Sequence, residues 1–107
     1  MNWSVEVLNE TVAAEIRSLP PDMHARFLRI ALQIEQAGLE TMREPHVKHL
    51  EDKLWEMRLT GRDGIARALY VTRLGRRVVV LRVFVKKTQK TPKSEIDMAL
   101  RRAKEIV

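Results

Sequence analysis

The sequence predicts an α+β domain in which an antiparallel-rich four-stranded sheet carries two N-terminal helices and a C-terminal helix. Three observations predict it. Apolar residues recur at helical spacing between Val12 and Ala37, two runs between Leu54 and Arg73 alternate with period two, and a third run, Arg76 to Lys87, is apolar on both faces through its middle. At 107 residues the chain is long enough for one core and too short for two, so residues 1–107 are read as a single domain.

Trp3 to Leu8 reads as a first strand. Asn9 or Thr11 then caps a short helix, Val12 to Leu19, which Pro20-Pro21 ends because proline lacks the amide donor and clashes with the preceding turn. Pro21-Asp22 starts a second helix with Met23, Phe27, Ile30, Ala31 and Ile34 as its buried stripe, and Gly38 stops it. Leu39 to Lys53 is polar, contains Pro45 and has no clear period, so a loop is expected. In LWEMRLT, Trp55, Met57 and Leu59 fall on one face and Glu56, Arg58 and Thr60 on the other. GRDG turns the chain into IARALYVTR, and Leu74-Gly75 turns it again into RRVVVLRVFVKK. Thr91 is expected to cap a closing helix with Pro92 in its first position and Ile96, Ala99, Leu100, Ala103 and Ile106 inward.

The charge is unevenly placed. Net charge is +6, yet residues 1–42 sum to −3 and residues 43–107 to +9. A positive second half predicts a polyanionic partner, nucleic acid first. There is no cysteine, hence no disulfide framework and no thiolate nucleophile, which fits a reducing cytoplasm. No apolar run approaches the roughly 20 residues of a membrane span, and the N-terminus has no signal-like apolar core. Glycine-rich phosphate loops, Gly-x-Ser-x-Gly and HExxH are missing. His46 and His49 lie three apart without an evident third ligand, so no metal or other cofactor is expected.

The cations on the strands are more informative. Arg58, Arg67, Lys86 and Lys87 come from three successive strands that are expected to be neighbours, so they can converge on an anion site. Only one of Lys86 and Lys87 can share a face with Arg58. Trp3, Trp55 and Tyr70 fall on strands where burial is the common fate, with Tyr70 kept as a candidate for stacking on RNA.

The succession KHLEDKLWEMRL, GIARALYV and VVVLRVFVKKTQKTP, followed by a short amphipathic helix, resembles the RelE/ParE superfamily of toxins and its HigB-like, phage-derived branch. The resemblance implies a RelE-like fold. It further implies a ribosome-dependent mRNA endoribonuclease that cuts in the ribosomal A site by attack of a 2′-hydroxyl, paired with a helix-turn-helix antitoxin. On that resemblance Arg58 and Arg67 are phosphate clamps, Lys86 or Lys87 stabilises charge or moves protons, and Glu56 is a possible base. Lys48, Arg82, Lys90 and Tyr70 are the RNA-binding candidates. The alternatives are a ParE-like gyrase inhibitor that cuts nothing and a non-catalytic basic nucleic-acid-binding module.

Overall fold

The computed structural model describes residues 2–86 and 90–107. The elements run β1 (Ser4–Val7), α1 (Glu10–Arg17), α2 (Pro21–Ala37), a 3-10 turn (Leu39–Thr41), β2 (Val47–Glu51), β3 (Leu54–Gly61), β4 (Gly64–Arg73), β5 (Arg77–Lys86) and α3 (Lys93–Ala103). They form one five-stranded sheet in the order β1-β5-β4-β3-β2, with β1 parallel to β5 and the other pairings antiparallel. The sheet therefore has one strand more than expected. β2 lies within the segment read as a loop; it is a short edge strand whose Lys48 and His49 are exposed, so no burial pattern marks it in the sequence.

Local chemistry sets the helix ends. The Asn9 side chain accepts the Val12 N–H at 3.1 Å and caps α1. Gly38, at φ 97°, ends α2 in a backbone conformation that a side chain would resist. α3 departs from expectation: Pro92 occupies the cap position without a side-chain hydrogen bond, the helix begins at Lys93, and Thr91 does not cap it. Among the described residues, no helix is long and apolar enough to cross a membrane.

Two cores result. On one face of the sheet Val12, Ile16, Met23, Phe27, Ile30 and Ile34 of α1 and α2 pack on Met57, Leu59, Ala66, Ala68, Tyr70, Val78, Val80 and Val83. On the other, α3 covers Leu54, Leu69, Val71, Val79 and Leu81 with Ala99 fully buried and Ile96, Leu100, Ala103 and Ile106 around it. Burial on both faces explains the unbroken apolar run in β5. A β-bulge interrupts β5: Leu69 pairs with Arg82 but Tyr70 with Val80, leaving Leu81 as the extra residue. The bulge resets the alternation, so that Arg82, Phe84 and Lys86 share the face of Leu69, Arg67 and Ile65.

Candidate functional site

Beyond α3, the second face of the sheet continues as charge. Among the described residues, the buried polar or charged side chains are Glu56 (1% exposed), Arg67 (2%) and Lys86 (7%), and all three belong to one cluster. Register explains the cluster: Arg58 on β3 pairs directly with Arg67 on β4, Glu56 lies two residues before Arg58 on the same face, and Lys86 enters from β5 opposite Ile65. Of the two adjacent lysines, Lys86 is therefore on the arginine face; Lys87 lies outside the described residues.

Two guanidinium groups directly opposite one another repel. The Glu56 carboxylate offsets this: its Oε2 lies 3.3 Å from Arg67 Nη1 and 3.7 Å from Arg58 Nε. Its other oxygen, Oε1, accepts the Thr91 hydroxyl at 2.5 Å. Thr91 is thus tied to Glu56 across 35 positions of sequence, which no local signal reveals. One carboxylate does not neutralise Arg58, Arg67 and Lys86 together, so the cluster keeps an excess of two positive charges.

The excess is matched by unused donors. Arg67 Nε and Nη1 and Arg58 Nε are buried and have no hydrogen-bond partner among the described residues. A buried guanidinium with unmade hydrogen bonds carries a desolvation cost that an oxyanion can relieve. The same strain appears in proton affinity. Burial lowers the Arg67 pKa, with Glu56 opposing and Arg58 adding to the effect. Burial likewise lowers the Lys86 pKa, followed by the positive charge of Arg67; Arg58 and Lys48 push the same way, against Glu56.

The remaining candidates separate. Lys48 pairs with Glu56 across β2 and β3, and with Lys90, Glu56, Thr91 and Ile96 it lines a pocket of about 200 Å³ beside the cluster. Arg82 shares the face but is already engaged. Its Nε and Nη2 bond Glu95 at 2.7 and 3.2 Å and its Nη1 bonds Glu15 at 2.8 Å, while Arg102 reaches Glu15 at 3.0 Å. That network ties α1, β5 and α3 together, so the expectation of an RNA-binding Arg82 is corrected: its fork is occupied by carboxylates. Tyr70 is also corrected. It is 1% exposed on the opposite face, between Trp55 and Val80 in register, and burial raises the pKa of its phenol. Glu56 has the Thr91 hydroxyl on one oxygen and both arginines at the other.

A model of the phage-derived Gp49-like protein family matches residues 14–104. Among solved structures, the chain is similar to one from the archaeal RelE–RelB complex of Pyrococcus horikoshii OT3, with 25% identity, 79% of this chain and 96% of that chain covered, and a TM-score of 0.58. It is also similar in fold to a variant of the E. coli toxin RelE in the free state, with 16% identity, 95% and 98% coverage and a TM-score of 0.65. No curated protein matches. With its sheet, helices and family match in agreement, the chain belongs to the phage-derived Gp49-like family and has the fold of the RelE toxins.

Proposed function

We propose that this protein is the toxin of a toxin–antitoxin pair and stops translation by cleaving mRNA in the ribosomal A site. The observation that carries the reading is the cluster of buried Arg67 and Lys86 and half-buried Arg58 around the carboxylate of Glu56, with guanidinium donors unmatched among the described residues. Such a cluster suits a group more negative and richer in acceptor oxygens than the described residues offer it.

A phosphodiester under attack is such a group. When the 2′-oxygen of the preceding nucleotide bonds to phosphorus, negative charge grows on the non-bridging oxygens. Arg67 and Arg58 donate their unused N–H groups to those oxygens, and because the donors are fixed before reaction they bind the transition state more tightly than the ground state. The P–O5′ bond breaks, leaving a 2′,3′-cyclic phosphate and a 5′-hydroxyl. Two protons must move, one from the attacking 2′-hydroxyl and one to the departing 5′-oxygen. Lys86 is suited to the second, since desolvation and its cationic neighbours loosen the proton it gives to the departing 5′-oxygen; the 2′-hydroxyl proton passes to a solvent water, and solvent reprotonates Lys86 afterwards. Glu56 positions the arginines, and Lys48 and Lys90 guide the RNA backbone beside the pocket that they line.

The partner follows from the same reading. The archaeal relative is a RelE–RelB complex. We assign this toxin an antitoxin of helix-turn-helix type whose acidic surface masks the cationic cluster.

Induced expression followed by primer extension on cellular mRNA tests the proposal. Cuts that map to codons and vanish when translation is blocked support it, and Arg67→Ala should abolish both the cuts and the growth arrest. DNA breaks linked to gyrase would instead mark an inhibitor that cuts nothing. Arrest with neither signature would mark a binding module.

A further inference from the structure

On the face of the sheet opposite the cationic cluster lies a second, unassigned feature. The chain has two tryptophans and one tyrosine. All three, Trp3, Trp55 and Tyr70, line one pocket of about 360 Å³, closed by Leu39, Met42 and Val47 and bordered by Glu40 and Thr72. Its size and lining are those of a ligand pocket. Trp3 Nε1 is buried without a hydrogen-bond partner among the described residues, an orphan donor. Trp3 and Thr72 also line a neighbouring groove of about 700 Å³ with Lys53, Arg73, Leu74, Gly75 and Arg76, so the two hollows meet at these side chains. Among the described residues, neither Lys53 nor Arg73 is within ion-pair distance of a carboxylate; the Arg73 guanidinium donates to the Thr72 carbonyl at 3.1 Å.

We propose that the joined hollows, Trp3 and the partly exposed Trp55 on one side and Lys53 and Arg73 on the other, bind an unpaired nucleotide of single-stranded RNA. The base enters the aromatic pocket and its phosphates lie along the cations. Aromatic faces beside a positive groove are how proteins hold single strands without reading sequence. Charge argues for the occupant: Lys53 and Arg73 have no carboxylate within ion-pair distance among the described residues, and the orphan Trp3 Nε1 offers a donor to an acceptor on a base edge. The site is separate from the cluster of Arg58, Arg67 and Lys86, so it holds RNA and takes no part in cleavage.

Both tryptophans line the pocket, so intrinsic fluorescence reports on it directly. The probe is a single-stranded 2′-O-methyl hexanucleotide, which lacks the hydroxyl needed for cleavage. Saturable quenching is expected, weakened about tenfold by Trp55→Leu through loss of stacking surface. Lys53→Ala combined with Arg73→Ala should weaken it about tenfold at moderate salt and flatten its salt dependence by about two phosphate contacts. Arg67→Ala should leave the quench unchanged even as it abolishes mRNA cuts, so this inference and the cleavage reading fail separately. The proposal is overturned if fluorescence is unaffected at oligonucleotide concentrations that saturate binding by anisotropy. It is equally overturned if the Lys53 and Arg73 changes have no effect, or if an acidic peptide carrying one aromatic residue quenches at lower concentration than the oligonucleotide.

Discussion

Arg58 and Arg67 face each other across β3 and β4, and the Glu56 carboxylate lies 3.7 Å from the first and 3.3 Å from the second. Two like charges opposite one another in a sheet are tolerated here because one buried anion serves both. The arrangement is self-consistent only while the carboxylate carries its charge. Glu56→Gln keeps the shape and removes the charge, leaving two uncompensated guanidinium groups, one of them buried. Unfolding by urea should show a loss of about 3–5 kcal/mol. Adding Arg67→Met removes the stranded charge, so the double variant should be less destabilised than the sum of the two single changes. Strict additivity would mean that the pair is not energetically coupled.

Arg82 and Arg58 share a face but are predicted to behave oppositely. Arg82→Met strands Glu95 and half of the Glu15 network that links α1, β5 and α3. It should cost about 2–3 kcal/mol of stability and leave cleavage intact at temperatures where the variant is folded. Arg58→Ala should change stability by about 1 kcal/mol or less and reduce cleavage by about 10²-fold. Comparing melting curves with cleavage of reporter mRNA separates a structural arginine from a functional one, and a thermal loss for Arg58 as large as that for Arg82 would contradict the assignment.

Lys86 should give stability a distinctive pH dependence. Its folded pKa is lowered, first by burial and then by Arg67, below the ordinary value of 10.5. The unfolded chain therefore binds more protons between the two values, so Lys86 makes stability rise with pH across that window. Below the folded value the charged side chain carries its full burial cost; above the unfolded value that cost is gone. Denaturant titrations of the wild type and Lys86→Gln at several pH values between about 8 and 10.5 should show that the variant lacks this rise. Taking the difference between the two proteins removes the opposite contribution of Tyr70, whose raised pKa makes stability fall as pH passes its unfolded value near about 10. Parallel curves would place Lys86 outside the desolvated cluster.

Thr91 connects the start of α3 to the cluster through its hydroxyl on Glu56 Oε1. Thr91→Val keeps the side-chain shape and removes that bond. Cleavage should fall about tenfold in kcat with KM little changed, because Glu56 is freed to shift and the arginines with it. Thr91→Ser, which restores the hydroxyl, should recover most of the rate. If serine rescues no better than valine, the threonine matters for packing alone.

Much of this architecture was legible in the chain. The stripe Met23, Phe27, Ile30 and Ile34 announced α2, the alternation Met57, Leu59 against Glu56, Arg58 announced β3, and the continuous apolar run around Val79 announced a strand covered on both sides. These are consequences of local geometry, since a helix repeats every 3.6 residues and a strand every two. β2 escaped because an edge strand needs only hydrogen bonds from one neighbour, and Lys48 and His49 leave no apolar imprint. Thr91 followed by Pro92 looked like a helix start, but its hydroxyl was claimed by a carboxylate 35 residues away.

The sequence by itself determined the three helices, four of the five strands, the neighbour relation of β3, β4 and β5, and the fact that the cations belong to its second half. Only the tertiary structure decided which of those cations act together. A strand residue's face depends on register, and register here is reset by the bulge at Leu81, which brings Lys86 to the side of Arg58 and Arg67. The same folding delivered Glu15 and Glu95 to Arg82 and a single carboxylate to the cluster. Charge is written in composition, but whether a charge is compensated depends on distances between residues far apart along the chain, and those exist only after the sheet has closed.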